Sequence, residues 1–212
     1  VDIGAGTAKT VILVDHRIAS YSILPTGGDS VEATRKTLEE ALKKAGVPFK
    51  NLRQIFTTGY SRNIIPFANK TLTEITCHAR GANFLVTQAG TVIDIGCQDS
   101  KVIRVNGQGR VTNFVMNDKC AAGTGRFIEV ISQALGLKID EVGPTALTSK
   151  NPCEISSTCT VFAETEIITQ RAQGRSREDL IAGAIQSIAK RVGIMASGLG
   201  IVEKVVFTGG VA

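Results

Sequence analysis

The sequence predicts an α/β protein built from two similar lobes. Two segments share one construction: residues 1–15 read VDIGAGTAKTVILVD, and residues 91–105 read TVIDIGCQDSKVIRV. In each, an apolar strand ends in Asp-Ile-Gly, a turn of small residues follows, and a lysine precedes a second strand rich in β-branched residues. Helical patterns and a further strand follow both segments. We therefore infer an internal duplication rather than one doubly wound sheet, with lobes at residues 1–90 and 91–212.

The remaining elements follow from periodicity and from cap signals. In the first lobe the pattern predicts helices over 30–45, with Ser30 as its N-cap, and over 72–89, with a short strand at 54–58 between them. In the second lobe a hairpin is followed by predicted helices over 121–135 and 160–173, closed by Gly136 and Gly174. A long apolar helix over 177–199 and a strand over 204–207 complete the lobe.

Both Asp-Ile-Gly turns have the composition of a phosphate site. Asp2 is followed by Gly4, Gly6 and Thr7, and Asp94 is followed by Gly96, Gln98 and Ser100. A carboxylate at a strand end provides an anchor for Mg²⁺, and neighbouring glycines expose backbone N–H groups to phosphate oxygens. Neither turn is a Walker loop. A single such turn is more typical of an ordinary tight hairpin, but this chain has two at equivalent places.

A third glycine pair, Gly209 and Gly210, follows the last predicted strand. The triplet resembles the phosphate-1, phosphate-2 and adenosine motifs of the acetate and sugar kinase, heat-shock-70 and actin superfamily. That resemblance implies an actin-like (ribonuclease-H-like) two-lobe ATPase fold with ATP or ADP in the cleft. It also implies that Asp2 and Asp94 organise Mg²⁺ and its waters, and that Gly209 and Gly210 face the adenosine. The phosphate contacts it implies are Gly4, Gly6, Thr7, Lys9, Gly96, Gln98 and Ser100.

The turns depart from the superfamily pattern at two places. The first turn has Ala5 and Gly6 after Gly4, so its hydroxyl moves to Thr7. The second turn has Cys97 where a second glycine is usual. If that position requires a positive φ, the cysteine costs about 1 kcal/mol or more.

Five cysteines, an odd number without a CxxC pair, favour a reduced, cytoplasmic protein over a disulfide framework. The segments MNDKCAAGTGRF (116–127) and STCTVFAETE (157–166) each place a cysteine where a helix is predicted to begin. Helix N-termini stabilise a thiolate. A small buried core residue is nevertheless the commoner role of such a cysteine, so spacing alone leaves both interpretations open.

These two segments resemble the activator ATPases of 2-hydroxyacyl-CoA dehydratases and of benzoyl-CoA-reductase systems. The stretches TEITCHARGA (73–82), DIGCQDSK (94–101) and VVFTGGVA (205–212) resemble that family too. The resemblance implies an oxygen-sensitive homodimer of anaerobic metabolism, in which Cys120 and Cys159 of each subunit hold one 4Fe-4S cluster. It also implies that flavodoxin or ferredoxin supplies an electron, which ATP drives to an acyl-CoA dehydratase or reductase.

Other assignments remain open at this stage. Cys77, Cys97 and Cys153 are alternative ligands, Cys153 first among them. The pattern around His78 favours a packed polar residue over a catalytic one, and Arg126 with Glu129 suits a surface pair. A small-molecule kinase on the same scaffold is the alternative function, although a kinase would give Cys120 and Cys159 no functional role. A non-catalytic nucleotide-dependent scaffold is a third.

Composition excludes several classes of function. The net charge of +5 is scattered, without the basic runs and interleaved aromatic residues of a nucleic-acid-binding protein. Apolar runs are too short to span a membrane, and no signal peptide is visible. Because the chain starts within a strand and stops after Gly210-Val-Ala, we expect both ends to be trimmed, with the C-terminal part of the family fold absent.

Overall fold

The computed structural model describes residues 1–156 and 159–212. Cα packing divides the chain into two units, Val1–Cys77 and His78–Ala212, and helix α2 begins in the first and ends in the second. The predicted lobe boundary near Gly90 stays a prediction. The strands and helices are, in chain order, β1 (Asp2–Ile3), β2 (Thr7–Val14), β3 (Arg17–Pro25), α1 (Ser30–Ala45), β4 (Phe56–Thr57), β5 (Lys70–Thr71), α2 (Glu74–Leu85), β6 (Thr91–Ile95), β7 (Ser100–Val105), β8 (Val111–Asn117), α3 (Gly125–Ala134), α4 (Ile139–Leu147), α5 (Thr160–Ala172), α6 (Arg177–Leu199) and β9 (Val205–Thr208).

The first unit is an antiparallel sheet in the order β1-β2-β3 with α1 packed on β2 and β3. Helix α1 has the predicted bounds, but its N-cap is Asp29 rather than Ser30. Asp29 has an extended backbone, and its carboxylate accepts hydrogen bonds from the N–H groups of Val31 and Glu32. A carboxylate also complements the positive end of the helix dipole, so it suits the cap position.

The second unit is built on a four-stranded sheet in the order β8-β7-β6-β9. Strand β6 pairs antiparallel with β7 and parallel with β9, so the ends of β6 and β9 lie side by side. Helices α3, α4 and α5 pack against α6, and α6 packs on β7 and β8. The core of this unit contains Phe127, Ile131, Ile167, Leu180 and Ile181, each at most 1% exposed.

Helix α6 confirms the predicted bounds. The Ser176 hydroxyl accepts a hydrogen bond from the N–H of Asp179 at the start, and Gly200 has a positive φ at the end. Helix α4 is an element that periodicity did not predict, because Gly143 and Pro144 lie in its interior and both weaken a helical pattern. In the part of the chain that the structure describes, no helix is long and apolar enough to cross a membrane.

Gly183 fixes the closest approach of α6 to the loop before α5. A Cβ placed on Gly183 would overlap the carbonyl group of Cys153, which is backbone and cannot move aside as a side-chain end can. We expect Gly183→Ala to lower the free energy of unfolding by about 3 kcal/mol in a urea titration. Gly193 on the same helix has no neighbour within 4 Å of such a Cβ. Gly193→Ala should therefore stabilise the protein by about 0.5–1 kcal/mol, and a loss of stability there would contradict the packing argument.

Candidate functional site: two matched hairpins and a cysteine pair

The first hairpin brings Asp2 and Lys9 together as cross-strand partners. The Lys9 ammonium lies 3.1 Å from the Asp2 carboxylate, and the Gly4 N–H donates to the Thr7 carbonyl across the turn at 3.1 Å. The Thr26 hydroxyl holds this turn by donating to the Gly4 carbonyl at 2.7 Å. The side chains of Lys9 and Asp2 are 34% and 31% exposed. Both charges can therefore be reached by a ligand from solution.

A further segment, Thr58-Gly59, adjoins Asp2 and was missed by sequence reasoning. The Ile3 N–H donates to the Thr58 carbonyl at 2.9 Å, which adds this segment beside β1. A Cβ on Gly59 would lie 2.5 Å from the Asp2 carboxylate, and its φ is +95°. The Thr58 hydroxyl is buried without a partner among the described residues. The available signal was Gly59 itself, directly after the predicted strand.

The second hairpin repeats the first at the same spacing. Asp94 and Lys101 are cross-strand partners, with the ammonium 3.3 Å from the carboxylate. The Gly96 N–H donates to the Asp99 carbonyl at 2.9 Å, which matches the turn of the first hairpin. The second ion pair is buried, however, with side-chain exposures of 3% and 2%, and Lys101 also lies 2.7 Å from Asp99. Lys101 is thus an internal counter-ion, whereas Lys9 faces solvent.

Two further loops meet the Asp94 turn. Gly209, just after β9, has a φ of +101°, and a Cβ there would lie 2.8 Å from the Asp94 carboxylate and overlap the Ile95 carbonyl. At the start of α3, the Gly125 N–H donates to the Gly96 carbonyl at 2.8 Å. The structure therefore brings predicted residues from separate segments together around Asp94.

Among the other predicted residues of this unit, Gln98 and Gly210 are exposed, and Ser100 is fully buried with its hydroxyl unpartnered in the described chain.

Cys97 does not carry the backbone strain that a positive φ would impose. Among the described residues other than glycine, positive φ occurs at Asp15, His16 and Gln88. Cys97 has no positive φ, so the expected free-energy cost of a cysteine at this position does not arise. The carbonyl of Cys97 accepts the N–H of Arg126 at 2.8 Å, so this residue helps to anchor the first turn of α3.

Cys120 does not lie at the start of a helix, contrary to the prediction from its segment. Helix α3 begins at Gly125, and Cys120 belongs to the loop between β8 and α3. The Asn117 amide holds this loop by donating to the carbonyls of Cys120 and Ala122 at 2.9 and 3.1 Å. Gly123 then adopts a φ of +92°, which ends any helical path before Thr124. Cys120 is partly exposed and packs with one side on the core of the unit.

Cys159 confirms the other half of that prediction, because it is the N-cap of α5. Its backbone is extended, with φ −124° and ψ 135°, and its thiol makes no capping hydrogen bond. The thiol is partly exposed at the N-terminal end of α5. Ser157 and Thr158, which open the segment STCTVFAETE, lie outside the described residues.

Cys153, the first alternative ligand, is less suited to bind a metal than the predicted pair. Cys153 is buried, and burial raises the pKa of its thiol, which disfavours the thiolate that a metal requires. Across residues 1–156 and 159–212, no cluster of three or more His, Cys, Asp or Glu side chains could hold a metal ion. Any metal centre on Cys120 and Cys159 therefore needs ligands beyond these two.

The structure also places two polar residues, Arg126 and His78, that the sequence analysis discussed. Arg126 and Glu129 form the expected surface ion pair at 3.0 Å, with both side chains about half exposed. His78, which its pattern predicted to be a packed polar residue, lies on α2 with its Nδ1 atom 3.3 Å from the Thr208 hydroxyl and 3.5 Å from the Asp94 carboxylate. These partners are far from His78 in sequence, so no local pattern could reveal them.

The fold, with its repeated Asp-Gly-Lys hairpin and with Gly209 beside the second turn, is that of the actin-like ATPases. The chain belongs to the BadF/BadG/BcrA/BcrD ATPase family, which it matches over residues 1–212. This confirms the family resemblance of the motifs.

Named relatives also align with the whole chain. The chain is 42% identical over 213 residues to the (R)-2-hydroxyglutaryl-CoA dehydratase activating ATPase of Acidaminococcus fermentans, which covers 100% of this chain and 82% of the relative. It is 40% identical over 211 residues to the 2-hydroxyisocaproyl-CoA dehydratase activator of Clostridioides difficile, covering 100% and 79%. The solved structure of the Clostridium difficile activator with bound ADPNP superposes with a TM-score of 0.94 at 40% identity, covering 99% of this chain and 78% of that one.

Proposed function

We propose that this chain is an ATP-dependent activator that passes a low-potential electron to a 2-hydroxyacyl-CoA dehydratase or a related acyl-CoA reductase. The observation that carries the proposal is the position of Cys159, a thiol without a capping bond at the N-terminus of α5, in the same unit as the Asp94 hairpin. A kinase of small molecules has no use for such a thiol. Relatives about 40% identical to this chain, named as dehydratase activators, support the same choice.

In this proposal the two hairpins hold ATP. Asp2 and Asp94 organise Mg²⁺ and its waters, and Lys9, which is exposed, contacts the phosphates. Gly209 and Gly210 face the adenosine. The turn residues that contact the phosphates are Gly4, Gly6, Thr7, Gly96, Gln98 and Ser100. The buried, unpartnered hydroxyl of Ser100 fits this role, because a bound group or water would satisfy it.

The cysteine pair fits half of a 4Fe-4S site. Cys120 and Cys159 are both partly exposed and provide two thiols per chain, so a homodimer provides the four that such a cluster requires. When bound, the cluster supplies one-electron transfer at low potential. The chain's own contribution is to hold one of these thiols at the N-terminus of α5. Flavodoxin or ferredoxin is the proposed donor of the electron. ATP binding and hydrolysis supply the conformational drive, because a nucleotide that binds two states unequally shifts their populations.

Anaerobic purification tests the proposal. The protein should be brown, should contain about four irons per dimer, and should bleach in air. It should hydrolyse ATP and, with reduced ferredoxin, deliver electrons to an acyl-CoA dehydratase component. Protein that stays colourless and iron-free after anaerobic cluster reconstitution would refute the electron-transfer function. Phosphorylation of a sugar or carboxylate by that protein would favour the kinase instead.

A further inference from the structure

The Asp94 carboxylate is held by three side chains within the second unit. Its Oδ2 atom accepts from the Lys101 ammonium at 3.3 Å, and its Oδ1 atom accepts from the Thr208 hydroxyl at 3.1 Å. The His78 Nδ1 atom lies 3.5 Å from the same Oδ1 atom. The Asp94 side chain is only 2% exposed, so these contacts rather than bulk water set its orientation.

The direction of the hydrogen bonds fixes the proton on His78. A threonine hydroxyl has one proton, and that of Thr208 is donated to Asp94. In the 3.3 Å hydrogen bond between the His78 Nδ1 atom and the Thr208 oxygen, the imidazole must then be the donor and the hydroxyl oxygen the acceptor. The Nδ1 atom therefore carries a proton, and that N–H also faces the Asp94 carboxylate.

We propose that His78 is a positioning residue of the nucleotide site, whose Nδ1–H holds the Thr208 hydroxyl and thereby keeps the Asp94 carboxylate in one orientation opposite Lys101. The inference rests on the proposed role of Asp94 in organising Mg²⁺. The placement of the partners supports it, since Thr208 is the last residue of β9 and directly precedes Gly209. His78 thus ties α2 to the strand end where the predicted adenosine contact begins.

The protonated nitrogen can be observed directly, because the chain has only two histidines. In ¹⁵N NMR spectra of the imidazoles, His16→Asn identifies the signals of His78. His16 lies between β2 and β3 in the first unit and is not among the residues that contact Asp94 in the description above. We expect the neutral imidazole of His78 to carry its proton on Nδ1. A His78 signal with a bare Nδ1 and a proton on Nε2 would overturn the proposal whether or not the protein hydrolyses ATP.

Three substitutions separate positioning from packing. The amide nitrogen of asparagine can occupy the place of Nδ1, whereas that of glutamine reaches toward the place of Nε2. We expect His78→Ala and His78→Gln to lower kcat for ATP hydrolysis about tenfold, the worth of one hydrogen bond, with KM for MgATP changed less than about threefold. His78→Asn should recover most of the rate.

Equal rates in all variants and the parent chain would refute the proposal, and so would an equal loss in all three variants, which would indicate packing alone. Absence of ATP hydrolysis in the parent chain would instead refute the proposed function. The NMR experiment would still decide the position of the His78 proton.

Discussion

Serine in place of Cys159 is expected to yield protein that binds almost no iron after anaerobic reconstitution. A hydroxyl does not replace a thiolate as a ligand of a 4Fe-4S cluster, and each dimer would lose two of its four ligands at once. Cys120→Ser should have the same effect. Iron content per dimer and the broad visible absorption of the cluster are the measurements. Circular dichroism would show that both variants remain folded.

Cys153 and Cys77 provide the matched controls. Cys153 is buried with a raised thiol pKa, and Cys77 lies within α2. Serine at either position should leave the iron content within about a fifth of that of the parent chain, since neither thiol is a proposed ligand. A loss of iron in Cys153→Ser as large as that in Cys159→Ser would show that the ligand assignment is wrong.

The second large effect is expected at Asp94. Asp94→Asn keeps the shape of the side chain and a partner for the Thr208 hydroxyl, but it removes the charge that the proposal places near Mg²⁺. We expect kcat for ATP hydrolysis to fall about 10²–10³-fold, as when one preorganised electrostatic group is lost from an active site. Steady-state hydrolysis over a range of Mg²⁺ concentrations is the measurement.

Asp99→Asn separates that effect from the loss of a counter-ion. Both Asp94 and Asp99 neutralise the buried Lys101, so either substitution disturbs the same ammonium. Asp99 has no proposed role toward Mg²⁺, and its substitution should lower kcat by less than about tenfold. If the two variants lost activity equally, the cause would be the loss of one of the two carboxylates beside Lys101 rather than chemistry at Asp94.

Local signals determined how far the fold could be predicted. Helix α6 has a Ser176 cap, a continuous apolar pattern and a terminal Gly200, and its bounds were predicted correctly. The start of α3 was predicted too early, because 121–124 have small helix-compatible residues on either side of Gly123. The helical path is ended there by the positive φ of Gly123, in a loop that the Asn117 amide holds through two carbonyls, and composition does not reveal that contact.

The residues of the candidate site also fall into two groups, those that the local sequence reveals and those that it does not. The Asp2 and Asp94 turns were visible because strand, carboxylate and glycines are consecutive. The contacts of His78 and Thr58 were not, because the register of β6 and β9 and the bridge between Asp2 and Thr58 bring distant segments together. Whether a lysine was exposed or buried could not be predicted either, since both hairpins carry it at the same spacing.

The different surroundings of Lys9 and Lys101 show that one hairpin motif can serve two electrostatic purposes. The register of the hairpin dictates that a lysine at this position stands opposite the aspartate in either copy. The neighbouring residues then determine whether the lysine side chain is exposed or buried. One copy retains a cation that a substrate can reach, and the other encloses its cation between two acids. The same backbone motif therefore presents its charge to solvent in one unit and encloses it among carboxylates in the other.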